Sequence, residues 1–127
     1  MENHKLVMPE HLNHYGFLFG GNLLKWVDEY AYIAAAMEYP GSNFVTIGMD
    51  KVEFRKSVRQ GTILIFLVDP IGRGKTSLRY SVHVYRGDTH EYDNLIFSTT
   101  VAFVRVDHEG RKTPLPPPSE TLPTDEN

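Results

Sequence analysis

The stretch Asn13–Asp28 gathers two carboxamides, three glycines and a carboxylate around the start of one long apolar segment. Gly20 and Gly21 carry no Cβ, so a ligand can approach their backbone closely. If they open a helix, their N–H groups have no intrahelical partner and lie at the positive end of its dipole. Such amides stabilise negative charge developing on an oxygen. Asp28 follows among Trp26, Val27, Tyr30 and Ala31. A carboxylate in that company must be paired, solvated or functional. Two readings stay open on these residues alone. One is tight packing at the glycine pair with a solvated stripe of Lys25, Asp28 and Glu29. The other is a site made of amide donors and a carboxylate.

Seven residues separate Gly21 from Asp28, which is about 700° of helical rotation and roughly 10 Å of rise. The two share a face but stand far apart for a single carbonyl group. The Asp side chain leans toward the helix N-terminus and recovers part of the gap. The favoured arrangement brings Asp28 of one copy to Gly21 of a second, across an antiparallel helix pair, so that the site is shared at a dimer interface.

Other chemistry is weaker. His11 and His14 stand three apart in a loop with no third ligand, so solvated histidines are expected rather than a metal site. His83 takes a polar-face strand position. No Gly-x-Ser-x-Gly elbow is present. The run Gly72–Ser77 (GRGKTS) lacks the spacing of a phosphate-binding loop and falls between strands, which excludes ATP hydrolysis. It still places Arg73 and Lys75 on a turn that could reach an anion.

The elements that must position these groups are legible. A short extended piece, Lys5–Met8, ends at Pro9. Asn22–Tyr39 has no Gly or Pro and stops at Pro40-Gly41, which predicts one long helix. Its second half is apolar nearly all round, so it is expected to be enclosed on most sides. Strands are expected at Val45–Phe54, Thr62–Val68, Leu78–Tyr85 and Leu95–Val106, with turns at Asp69–Gly74 and Asp107–Gly110. A run of strands after one helix favours an α+β fold with an antiparallel sheet curled about the helix.

Composition bounds the rest. The chain has 127 residues, 13 Lys and Arg, 16 Asp and Glu, a net charge of −3 and no Cys. That length suits one domain. The absence of Cys excludes a disulfide framework, a thiol nucleophile and a thiolate metal site. The charge balance argues against nucleic-acid binding. No apolar run is long enough to span a membrane, and the opening MENHKLVMPE is not a secretory signal, so a cytoplasmic location is expected. The reading divides the chain into a single domain, 1–112, and a Pro-rich acidic tail, 113–127, expected to be disordered.

His11–Ala35, with Pro9, Asn13, Gly16, Phe19-Gly20-Gly21 and Asp28 in register, resembles the hot-dog-fold acyl-CoA thioesterases, in the branch of broad-range cytosolic acyl-CoA hydrolases. Val52–Thr62, Gly74–Tyr85 and Val101–Pro116 are similar to later motifs of the same family. Ser57 stands where a proline is usual and Thr62 where an acid is. His14, Tyr15 and Phe17 occupy positions where smaller residues are common. The resemblance implies a hot-dog fold, an antiparallel sheet wrapped around one central helix. It implies hydrolysis of an acyl-CoA to a carboxylic acid and CoA without metal or cofactor, coenzyme A being part of the substrate. Gly21, beside Gly20, would polarise the thioester carbonyl. Asp28 would act as general base on water or as nucleophile, and Asn13 of the facing subunit would position water or thioester. Lys75, Ser77, Arg111, Arg73, Arg55 and Lys56 would meet the CoA phosphates. The partners implied are an acyl-CoA and further copies of the chain, a dimer or trimer of dimers. The competing reading keeps the fold as a non-catalytic acyl-CoA-binding sensor. Dehydration of a hydroxyacyl thioester ranks last, because the helix contains no histidine.

Overall fold

A computed structural model describes residues 1–87 and 94–117. Five strands and one long helix follow one another: β1 (Glu2–Leu6), a short 3-10 turn at Pro9–His11, α1 (Gly20–Glu38), β2 (Asn43–Phe54), β3 (Ile63–Arg73), β4 (Ser77–Arg86) and β5 (Leu95–Val106). The strands form one antiparallel sheet in the order β1-β3-β4-β5-β2. The sheet packs on α1, so the α+β hot-dog architecture expected from the sequence is the one present.

The core lies between the helix and the sheet's inner face. Leu23, Trp26, Val27, Ala31, Ala34 and Ala35 of α1 are buried against Leu64, Phe66 and Val68 of β3, Tyr80, Val82 and Val84 of β4, and Phe97, Val101 and Phe103 of β5. The period of two in the strands meets the helical period at this one interface, which fixes the register of each strand. The enclosure expected of the helix is incomplete within one chain. Tyr32 and Met37 remain exposed, because the sheet covers a single side of α1.

Most element ends fall within three residues of those expected from the sequence, β1 for instance running Glu2–Leu6 rather than Lys5–Met8, and two differences are larger. The turn expected at Asp69–Gly74 is strand as far as Arg73. β1 pairs with β3 as far as Leu67 and Met1 bonds Val68 through both its N–H and its carbonyl, so from Asp69 onward β3 has no partner on that edge among the described residues. A free edge tolerates Pro70, which cannot donate to a neighbour, and the register shift between Pro70 and Gly72. The other difference is at the C-terminal end. Residues 113–117, expected as the beginning of a disordered tail, lie against the sheet: Thr113 N–H donates to Arg105 O (3.0 Å), Leu115 N–H to Lys75 O (2.8 Å), and Leu115 packs on the core. The guanidinium of Arg105 donates to Pro114 O (2.7 Å) and that of Arg73 to Pro116 O (3.3 Å). Prolines lack N–H groups but their carbonyls still accept, and two arginines use them. The remainder of the expected tail, 118–127, lies outside the described residues.

Candidate active site

The helix start is open. Phe19, the residue before the first turn, is extended and supplies no side-chain cap, and the first turn holds no acidic residue. Asn22 N–H and Leu23 N–H both reach back to Phe19 O (3.0 and 3.3 Å). The Gly20 and Gly21 amides precede them, at the positive end of the dipole. Space, not backbone strain, calls for glycine here. A Cβ on Gly20 would lie 3.4 Å from the Phe54 ring, and one on Gly21 would lie 2.9 Å from the Phe19 ring.

The preceding loop is locked to this helix end. Asn13 Oδ1 accepts from Tyr15 N–H (2.9 Å) and Phe17 N–H (3.2 Å), and Gly16 takes a positive φ of 87° to close the turn. Asn13 therefore has its carbonyl oxygen engaged by the backbone, and its Nδ2 hydrogens are what it can offer a ligand. His11 O accepts from Phe19 N–H (2.9 Å) and from Asn22 Nδ2 (3.0 Å). His11 is not the solvated loop residue expected. It is half-buried, its Nδ1 accepts from Met8 N–H (2.9 Å), and its ring meets Trp26 edge-on.

Asp28 is half-buried and turned toward β2, away from the exposed Lys25 and Glu29. Thr46 Oγ1 donates to Asp28 Oδ1 at 2.6 Å. The sequence reading did not single out Thr46. It lies eighteen residues downstream on another element, and only the β2–β5 register, with its shift between Thr46 and Gly48, aims it at the helix. β2 is also the terminal strand on its side of the sheet. Its exposed apolar side chains include Val45, Ile47, Val52 and Phe54, an unusual content for a free edge.

The candidate phosphate contacts separate into two groups. Arg55 and Lys56 line a cleft of about 300 Å³ beside Gly20, together with Leu18, Leu23, Phe54, Ser57 and Val58. Arg55 also pairs with Glu53 (2.7 Å). Arg73, Lys75, Ser77 and Arg111 are not brought to the helix start within one chain. Arg73 donates to the Tyr39 hydroxyl (2.8 Å) at the far end of α1. Lys75 holds Leu115 by its carbonyl, and Ser77 opens β4 at the same turn. Arg111 pairs with Asp107 and Glu109 in the turn after β5.

That far end also holds two of the three tyrosines whose pKa is raised, the third being Tyr30 in mid-helix. Burial, followed by the hydrogen bond to Glu38 (2.5 Å), pushes the Tyr80 hydroxyl far above the usual tyrosine range. Burial and Glu38 raise Tyr39, while Arg73 pulls it back. Among the described residues no cluster of His, Cys, Asp or Glu could hold a metal ion, and no helix is long and apolar enough to cross a membrane.

Comparison with known proteins agrees with this architecture. The chain is 30% identical over 117 residues to an uncharacterised acyl-CoA thioester hydrolase of Zymomonas mobilis, covering 91% of this chain and 78% of that one. It superimposes on a hexameric thioesterase of Yersinia pestis with a TM-score of 0.81 at 27% identity, covering 90% of this chain and 93% of the other. It superimposes on an acyl-CoA hydrolase of Staphylococcus aureus, solved with butyryl coenzyme A and coenzyme A, with a TM-score of 0.77 at 30% identity, covering 92% and 71%. That hydrolase has also been solved as alanine variants of an aspartate, a threonine and an asparagine. The model of the thioesterase superfamily matches residues 15–92, more than half of the sequence, and the chain belongs to that family.

Proposed function

We propose that the chain hydrolyses an acyl-CoA thioester to a carboxylic acid and CoA, with sites shared between two copies. The observation that carries this reading is Asp28 held by Thr46 on the same helix whose first amides stand uncapped. In the proposed reaction the Gly21 N–H donates to the thioester carbonyl oxygen and takes up charge as the tetrahedral intermediate forms. Asp28, one oxygen fixed by Thr46, uses the other to remove a proton from the attacking water. The nucleophilic alternative has the carboxylate attack directly, giving an anhydride that water then opens. Asn13 donates through Nδ2 to the water or the carbonyl. The thiolate leaves readily, so amides and a carboxylate suffice.

The need for a second copy rests on reach. Gly21 and Asp28 are seven residues apart on one continuous helix, roughly 10 Å along its axis. Thr46 places Asp28 beneath β2, the strand with the exposed apolar edge. A second copy seated along that edge would bring its own helix start toward Asp28. The hexameric state of the Yersinia pestis neighbour supports an assembly of dimers. The aspartate and asparagine varied in the Staphylococcus aureus hydrolase stand fifteen residues apart, as Asn13 and Asp28 do. The threonine varied there follows its aspartate by seventeen residues, against eighteen from Asp28 to Thr46. Arg55 and Lys56, beside Gly20, are the proposed phosphate contacts within the chain. Arg73, Lys75, Ser77 and Arg111 could contribute only from another copy.

The test is thiol release from a panel of acyl-CoA esters. The chain has no Cys, so a thiol-reactive dye reports CoA alone. Asp28→Asn should lower kcat by about 10²- to 10⁴-fold. Undiminished turnover would remove Asp28 from the mechanism. Tight binding of acyl-CoA with no turnover would establish the sensor reading instead.

A further inference from the structure

The loop that carries Asn13 ends in a feature the reaction above does not use. Tyr15 is 75% exposed, and the His14 ring lies against it with centroids 4.0 Å apart and planes tilted by 40°. An exposed tyrosine is ordinarily free to swing, but this one springs from a turn fixed by two hydrogen bonds to Asn13 Oδ1. The stem of the turn is bonded to the helix start through His11 O and to the β2–β3 connection through Leu18 N–H and Val58 O (2.7 Å). Next to Val58, the Arg59 guanidinium lies 5.1 Å over the Phe17 ring. Arg59 forms no ion pair among the described residues. Two exposed rings thus stand on the turn that carries Asn13, and a cation with no ion pair stands on the adjoining β2–β3 connection, the two segments being joined by the Leu18–Val58 bond and the Arg59–Phe17 contact.

We infer that this loop seats the nucleotide end of the CoA thioester, with adenine stacked on Tyr15 and the adenosine 3′-phosphate met by Arg59. The inference rests on the reading of the site as one for CoA esters and adds where the nucleotide goes. A planar base and a dianionic phosphate are the two recognisable groups at that end of CoA, and ring and guanidinium match them one to one. Of the arginines expected at the CoA phosphates from the sequence, Arg73 is committed to Tyr39 and Pro116 and Arg111 to Asp107 and Glu109, while Arg55 lines the cleft beside Gly20 and is left to the phosphates nearer the thioester.

Titration calorimetry of the full chain with CoA, dephospho-CoA and 4′-phosphopantetheine tests the assignment. Tyr15→Ala should weaken CoA about tenfold, the worth of one base–aromatic stack. Tyr15→Phe should bind as the wild type does, and 4′-phosphopantetheine, which lacks the nucleoside, should not distinguish the three proteins. Arg59→Gln should bind CoA no better than dephospho-CoA, a difference the wild type keeps. Unchanged CoA affinity in Tyr15→Ala, an equal loss with 4′-phosphopantetheine, or a wild type that binds no CoA would overturn the inference. Turnover measured in parallel separates the two claims. A wild type that hydrolyses acyl-CoA while Tyr15→Ala keeps its CoA affinity refutes only the nucleotide seat. A wild type that binds CoA through Tyr15 but cleaves no ester refutes only hydrolysis.

Discussion

Thr46 Oγ1 and Asp28 Oδ1 are joined by a 2.6 Å hydrogen bond that ties the edge strand of the sheet to the middle of the helix. The bond leaves the second carboxylate oxygen of Asp28 without this donor. It also makes a threonine on β2 the positioning residue for a carboxylate on α1. Thr46→Val keeps the shape and removes the donor. A hydrogen bond to a charged group is worth about 2 kcal/mol, so kcat should fall some thirtyfold. KM should stay put, and Thr46→Ser should retain most of the activity. Steady-state kinetics of the three proteins checks this, and a loss confined to KM would assign Thr46 to substrate binding instead.

Gly21→Ala should separate stability from activity. The added methyl lies 2.9 Å from the Phe19 ring, which is more than half exposed and can swing outward. Helix propensity favours Ala over Gly by at most about 1 kcal/mol. The variant should therefore melt no lower than the wild type, yet lose turnover as methyl and displaced ring crowd the amide. Phe19→Leu in the same chain should restore part of the rate. Melting curves and kinetics together decide it, and a fully active Gly21→Ala would show that no ligand approaches that amide.

Alkaline pH should destabilise the fold through Tyr80. Its folded pKa lies above the unfolded value of about 10, so below pH 10 both states carry the proton and stability is intact. As pH rises beyond 10 the unfolded chain releases this proton and the folded chain keeps it, so stability falls by up to about 1.4 kcal/mol per pH unit. Tyr39 and Tyr30 are raised as well and add to the slope. Tyr80→Phe should flatten the decline above pH 10. It should also lower stability at neutral pH, because Glu38 loses its 2.5 Å donor in a half-buried position. Denaturant midpoints measured from pH 8 to 11 give both effects.

Ending the chain at Lys112 should destabilise the domain rather than trim an inert tail. The shortened protein loses the Thr113–Arg105 and Leu115–Lys75 backbone bonds, the carbonyl partners of Arg105 and Arg73, and the packing of Leu115. At about 0.5–1.5 kcal/mol for each hydrogen bond, the loss should reach about 2–4 kcal/mol, read as a Tm lower by several degrees. An unchanged Tm would restore residue 112 as the domain boundary.

Much of this protein is legible without coordinates. The uninterrupted Asn22–Tyr39 run supplies the body of α1, which starts two residues earlier at Gly20 and ends at Glu38, because nothing in it breaks a helix and Pro40-Gly41 follows. Leu95–Val106 becomes β5 residue for residue. Local periodicity and chain breakers decide both, and they are properties of adjacent residues. The glycine pair at the helix start and the carboxylate at position 28 are legible for the same reason, since one helix fixes their spacing. Contacts between distant elements are what the tertiary structure alone decides. Thr46 meets Asp28 because of strand register, Arg73 turns to Tyr39 and Pro116 because β3 continues past Pro70, and Leu115 docks because Lys75 offers a carbonyl. Each joins residues eighteen or more apart in the chain. No local pattern encodes such a pairing; it exists only once burial of the shared core has fixed which strand lies beside which.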